Sequence, residues 1–490
     1  MKAIIGSAAL HTKTVRKAAS MASTSTDEVR RKEGKPAPTV SEVLQLTSSA
    51  WKLTIEEGSI TQLESYDDAN FYIRATNVGD CEKVESASIT SEYLIKFYNA
   101  VESNNPEMLQ GLSLLLREIS CYSAPCNKCG FGHPTVPVAV AVDTTFNAHS
   151  TSEDALDQDI LKDIVYSNAR SAYKDSEIML IAARLFRWIP GPTLNKAGQL
   201  TLISPKLMVN LGFSLGSLTN SLQNFDHPTF HREHSWDLRN FTTTYSLFSQ
   251  YVQEQDVADL IKAVHITFEK EVLPFATLFR KSIIMGDCND ANVILNEEMS
   301  AVTGIIDFGD AVYTWSVNEI AIATAYALLT PYGMGEPLEC MAYIFGGYMF
   351  STKHCQNRES EINGDMYISD EKDYAERQCL HTLICVRLCI SIMIGAFSIS
   401  KDPSNEYLKL HSHPAKQALR MLISGNEAEV SKESKGLSTK GQVQGKLTAN
   451  PSTTLEMYNN ISKVDLSQST DSTSLVSLLA GIVDKLHLSI

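Results

Sequence analysis

Basic residues are the scarce class in this sequence: 42 Lys and Arg stand against 57 Asp and Glu, leaving a formal charge of -15 at pH 7. Such a surface repels phosphate backbones, which argues against a nucleic-acid partner and is compatible with a cationic small molecule. An uninterrupted apolar run of membrane-spanning length is also missing. Leu380 to Ile399 comes nearest, but His381 and Arg387 break it, which predicts a buried helix and no membrane partner. There is no recognisable secretory h-region, and the ten cysteines are scattered, so they read as reduced thiols inside a cell. No acidic residue precedes Asp27, while Lys2, Lys13, Arg16 and Lys17 lie among Ser, Thr and Ala. Residues 1–39 are therefore expected to be a disordered tail on a cytoplasmic protein, or to carry a mitochondrial transit peptide within 1–26. No internal repeat is visible.

What remains is the composition of a soluble globular protein, 43% hydrophobic and 20% charged. Folded structure is expected to start near residue 40, where Ser41 caps a helix running to Trp51. Ile60 to Leu63 and Phe71 to Ala75 read as strands flanking a polar turn from Ser65 to Asn70, and Glu92 to Tyr98 reads as a third. Pro106 then opens a helix to Ile119, with Leu109, Leu112, Leu115 and Leu116 on one face. Val136 to Val142 and Ile178 to Trp188 are further strands, separated by a polar insertion near 144–176. Together these give a small antiparallel-sheet lobe over 40–189. Residues 190–423 are mostly helical in pattern, and 424–490 read as a flexible tail in which Leu475 to Leu488 has helical amphipathicity. The fold class is thus α+β, in two lobes.

Chemistry concentrates in Ile283-Ile284-Met285-Gly286-Asp287-Cys288-Asn289-Asp290-Ala291-Asn292-Val293-Ile294-Leu295, followed by Gly304-Ile305-Ile306-Asp307-Phe308-Gly309-Asp310. Phosphoryl transfer needs a carboxylate to orient an acceptor hydroxyl and take its proton, and hard oxygen ligands for a divalent metal. Asp287 suits the first role, and Asn292 with Asp307 the second. Asp-x-x-x-x-Asn on a loop entering a strand lets the Asn fold back beside the Asp-Phe-Gly carboxylate of the next strand.

Together with Ser65 to Phe71, Tyr93-Leu94-Ile95-Lys96, Arg184-Leu185, Pro190-Gly191, His227-Pro228, His231-Arg232 and Trp236, these motifs resemble the aminoglycoside-phosphotransferase superfamily. Within it they resemble the hydroxylysine kinases. The resemblance covers roughly residues 40 to 423 and implies a protein-kinase-like fold with Mg2+ and GTP or ATP as donor. The implied activity is phosphorylation of 5-hydroxy-L-lysine or another amino alcohol of aminoglycoside, choline or homoserine type. It also implies nucleotide contacts from Lys96, Ser65, Asn70 and Phe186. The position expected to hold a Glu paired with Lys96 is Gln110, with Glu107 one turn earlier, and Met285 stands where the family has His. Both departures keep a weakly active pseudokinase scaffold in view.

An amino-acid acceptor would need carboxylates for its ammonium groups and an Arg fork for its carboxylate. Asp310 and Arg232 are the preferred pair, with Asp237, Glu319 and Arg387 as further candidates. Cys121, Cys126, Cys129 and His133 form a zinc-like series, although the crowding of all four into one connection favours plain reduced thiols.

Overall fold

The computed structural model describes residues 30–31, 33–65, 67–77, 90–121, 134, 136, 163–172, 178–199, 203–354, 371–401, 412–424, 450–464, 466 and 472–488. The chain divides into two compact units, one of residues 1–117 and 137–188, the other of 118–136 and 189–490.

The first unit is built on an antiparallel sheet of β1 (Leu53–Ile55), β2 (Thr61–Leu63), β3 (Ala69–Asn77), β4 (Ser91–Phe97), β5 (Val165–Arg170) and β6 (Ile178–Arg187), in the order β1-β3-β4-β6-β5 with β2 also paired to β3. Alternation decides which face of β3 is buried: Ala69, Phe71, Ile73 and Ala75 all point inward. They pack with Ile95, Phe97 and Leu185, and with Val43, Leu46 and Trp51 of α1 (Val40–Trp51). Phe71 and Phe97 meet edge to face at 6.0 Å. Helix α2 (Pro106–Cys121) buries Leu109, Leu112, Leu115 and Leu116, the predicted stripe.

Three expectations for this unit change. The cap of α1 is Thr39, not Ser41: its hydroxyl accepts the Glu42 N–H at 3.3 Å while the Glu42 carboxylate accepts the Thr39 N–H at 2.6 Å. The described residues before 40 are held rather than loose, since Arg31 donates to Asp67 at 2.6 Å and pairs with Glu102, and Pro36 bridges Ser171. The expected insertion contains a strand, because Val165 to Arg170 pairs along the whole outer half of β6 and buries Val165 and Ala169. Residues 137–142 of the other expected strand lie outside the described residues.

The second unit is mostly helical, with α3 (Pro205–Leu222), α4 (Gln255–Thr267), α5 (Val317–Ala327), α6 (Pro337–His354), α7 (Glu371–Lys401), α8 (Ser412–Ser424), α9 (Pro451–Lys463) and α10 (Ser472–Leu488). Two small antiparallel pairs, β7 (Lys281–Ile284) with β10 (Val312–Trp315) and β8 (Val293–Leu295) with β9 (Val302–Ile305), carry the motif loops. Helices α3 and α6 touch backbone to backbone: a Cβ on Gly212 would sit 1.9 Å from the Ile344 carbonyl oxygen, and one on Gly347 2.0 Å from that of Val209. Helix α7 is long and apolar enough to cross a membrane by length and composition, but 78% of its apolar window is buried inside the protein. Within the expected tail the described residues are mostly helical. Helix α9 buries Met457, Tyr458 and Ile461, and α10 lays Leu479 over Gly346 of α6.

Candidate active site

The catalytic-type loop runs from β7 to β8. Gly286 takes φ +79°, and a side chain there would press on the Asp310 carbonyl at 2.8 Å, so glycine lets the two motifs touch. Asn289 then makes an Asx turn, its Oδ1 accepting the N–H groups of Ala291 at 2.8 Å and Asn292 at 3.1 Å. This turn folds the loop back on itself. The amide groups of Asn289 and Asn292 donate to Asp287 Oδ2 at 2.8 Å and 3.2 Å. Since the Asn292 NH2 is turned to Asp287, its Oδ1 is the atom left to face a cation, which fits a hard divalent ion.

The second motif is stitched to the first by the Ile306 N–H, which donates to the Asn292 carbonyl at 3.0 Å. The next residue, Asp307, has φ +65°, a left-handed conformation that costs energy for a residue with a Cβ. Its carboxylate is exposed. Asp310, two residues past the following Phe, is paired with His234 at 3.2 Å.

Arg387, on α7, donates to Asp287 Oδ1 at 2.6 Å, with its side chain only 2% exposed. The guanidinium lies over Trp236 at 4.7 Å and Tyr326 at 5.2 Å. Burial drives the Asp287 carboxyl well above the ordinary carboxylate range; Arg387 opposes that rise, and Asp310 and Asp307 add to it.

Three of the residues expected to meet substrate are committed elsewhere. Arg232 straps the second motif, donating to the carbonyls of Gly309 at 2.7 Å and Ala311 at 3.0 Å, so its donors are not a carboxylate fork. Asp237 is 3% exposed and accepts from Thr314 at 2.7 Å and from the Arg239 N–H at 3.0 Å, which makes it a buried cap. Glu319 is 1% exposed and holds the catalytic-type loop from beneath, accepting the Met285 N–H at 2.6 Å. Burial pushes its carboxyl up to about 7, against the backbone N–H groups of Met285 and Gly286 and the charge of Arg387. Met285 itself is fully buried, so this position supplies the loop with a backbone N–H and a core side chain.

In the first unit Lys96 pairs with Asp68 at 2.8 Å. Glu107 is exposed and Gln110 half-buried. Ser65 gives its carbonyl to Lys35 at 2.6 Å. Asn70 faces Lys96 across β3 and β4, with its Oδ1 buried and lacking a hydrogen-bond partner. Phe186 is a core side chain of β6. His234, Asn289 and Tyr326 in the second unit, and Asp68 beside Lys96 in the first, are residues that the sequence alone does not single out. Asn289 alone has a local signal, the Asn-Asp-Ala-Asn turn pattern. Cys126, Cys129 and His133 lie outside the described residues, as does the side chain of Cys121. Among the described residues no group of three His, Cys, Asp or Glu side chains is arranged to hold a metal.

Residues 152–343 match the model of the phosphotransferase enzyme family. This chain is a phosphotransferase with a hydroxyl acceptor. The phosphotransferase is 26% identical to the hydroxylysine kinase of Xenopus laevis over 385 residues, covering 76% of this chain and 86% of the relative. It is 24% identical to the hydroxylysine kinase of Mus musculus over 401 residues, 79% and 90% of the two chains. Its fold is that of a solved microcompartment-associated aminopropanol kinase, with TM-score 0.50 and 14% identity over 78% of this chain and 96% of that one. The phosphotransferase is therefore a small-molecule kinase homologous, at modest identity, to hydroxylysine kinases.

Proposed function

We propose that this kinase transfers the terminal phosphoryl group of GTP or ATP to the side-chain hydroxyl of 5-hydroxy-L-lysine. The observation that carries the reading is the tie between the two motifs, in which Asn289 and Asn292 fix Asp287 while the Asn292 backbone holds the strand end leading into Asp307. Asp287 orients the acceptor O–H and takes its proton. The acceptor oxygen forms its bond to phosphorus as the bond to the donor's bridging oxygen breaks, and the nucleoside diphosphate leaves. Asn292 Oδ1 and the Asp307 carboxylate would hold Mg2+, which when bound would supply positive charge beside the phosphates. Lys96, fixed by Asp68, contacts donor phosphates. The carboxylates of Asp307 and Asp310 add negative potential at Asp287, which suits an acceptor bearing ammonium groups.

The test is transfer of labelled phosphate from GTP and from ATP to 5-hydroxylysine, lysine and 1-amino-2-propanol. Product with hydroxylysine and none with lysine is expected. A second reading, an amino alcohol without a carboxylate, is favoured by one observation: Arg232 and Arg387 are both engaged by acceptors of the protein itself. Product with aminopropanol and none with hydroxylysine would establish that reading instead.

A further inference from the structure

Arg387 projects into the site from a helix that is otherwise apolar at this level. Cys385, Val386, Leu388, Cys389 and Ile390 are all buried around it. Placing a guanidinium there carries a desolvation cost, which is offset only by close partners. The partners are specific: Asp287 Oδ1 at 2.6 Å, the Tyr326 hydroxyl at 3.3 Å and the Trp236 carbonyl at 3.4 Å, with both rings against its faces. Its Nε has no hydrogen-bond partner, so the group is aimed by what its terminal nitrogens meet.

A carboxylate offers about four lone-pair sites in its plane. Asn289 and Asn292 occupy Oδ2, and Arg387 occupies one site on Oδ1. What is left for an acceptor hydroxyl is the second site on Oδ1, beside the guanidinium. The geometry points to Arg387 as a positioning residue that fixes the rotation of the Asp287 carboxylate, so that Oδ1 presents this one site to the acceptor. The rings of Trp236 and Tyr326 flank the guanidinium and limit its swing. Arg387 thereby acts through Asp287 and does not bind the acceptor's own carboxylate. This inference rests on the reading of Asp287 as the acceptor-orienting base.

With GTP and 5-hydroxylysine, Arg387→Met in the full-length protein is expected to lower kcat about 100-fold, because orientation counts in the transition state, while the acceptor KM changes less than about threefold. Arg387→Lys keeps the charge without the planar fork and is expected to fall about tenfold. Added guanidinium ion should restore part of kcat to Arg387→Ala and none to Asp287→Ala. A large rise in acceptor KM with kcat preserved would overturn the proposal, since it would make Arg387 a ligand of the acceptor carboxylate. A double-mutant cycle on urea unfolding with Asp287→Asn and Arg387→Met needs no substrate and separates this idea from the choice of acceptor. Coupling of at least about tenfold in the unfolding equilibrium is expected. Coupling under about twofold overturns the clamp even if hydroxylysine proves to be the wrong acceptor.

Discussion

Glu319 hangs the catalytic-type loop from helix α5, its Oε2 accepting the Met285 N–H at 2.6 Å from a position only 1% exposed. The other oxygen, Oε1, is buried without a hydrogen-bond partner, which is why burial outweighs the two backbone donors and lifts the carboxyl to about 7.

The raised proton affinity of this carboxyl has a sign for stability. Between about 4.5, the unfolded value, and about 7 the native state keeps a proton that the unfolded chain releases, so stability falls as pH rises through this window. A tenfold change in proton affinity is worth about 1.4 kcal/mol, which makes the full loss about 3 kcal/mol. Glu319→Gln keeps an oxygen for Met285 and removes the charge. Its melting temperature is expected to match that of the parent near pH 5 and exceed it near pH 8. Parallel curves for the two proteins would refute the assignment.

Asp307→Ala is expected to lower turnover by roughly 10³-fold, and chelation of Mg2+ to do the same to the parent protein. The exposed carboxylate contributes little to packing, so the melting temperature of the variant should stay within about 3 °C. Near-normal turnover of the variant in Mg2+ would remove Asp307 from the metal site.

The pairing of Lys96 with Asp68 at 2.8 Å predicts that installing the family's helix carboxylate has little effect. Gln110→Glu should change the nucleotide KM by less than about threefold, whereas Lys96→Ala should raise it about tenfold or more through loss of a phosphate contact. A strong gain of activity in Gln110→Glu would show that Asp68 is not the operative partner.

Two glycine substitutions should act with opposite sign. Gly347→Ala drives a methyl to within 2.0 Å of the Val209 carbonyl oxygen and should destabilise by about 3 kcal/mol, because backbone on both sides must separate. Gly395 lies within α7 with nothing inside 4 Å of an added Cβ, so Gly395→Ala should stabilise by about 1 kcal/mol. Thermal melts of the two variants decide both.

The parts of this site that are local in the chain were legible in the sequence. The Asp287 to Asn292 loop, the Asp307 strand end and the Lys96 strand all announce themselves through spacing, because each is a turn or strand with its own hydrogen-bond logic. What escaped depends on contacts between distant segments. Asp68 reaches Lys96 through the antiparallel register of β3 and β4. Arg387 meets Asp287 across the fold, and nothing near either residue encodes the meeting. Arg232, Asp237 and Glu319 have the right charges for a substrate pocket, but their hydrogen bonds to backbone groups assign all three to loop and turn architecture. In the tail, Ser and Thr hide the apolar spacing of Met457, Tyr458 and Ile461, which becomes visible only when α9 and α10 dock.

The seat of Leu479 over Gly346 bears on how shortened versions of this protein are to be interpreted. A chain cut before residue 450 would lose both covering helices and bare the seat at Gly346 that α6 presents to α10. Such a product would be expected to clump during expression. Its silence in an assay would then report insolubility, and would be mistaken for evidence that the tail switches the kinase on.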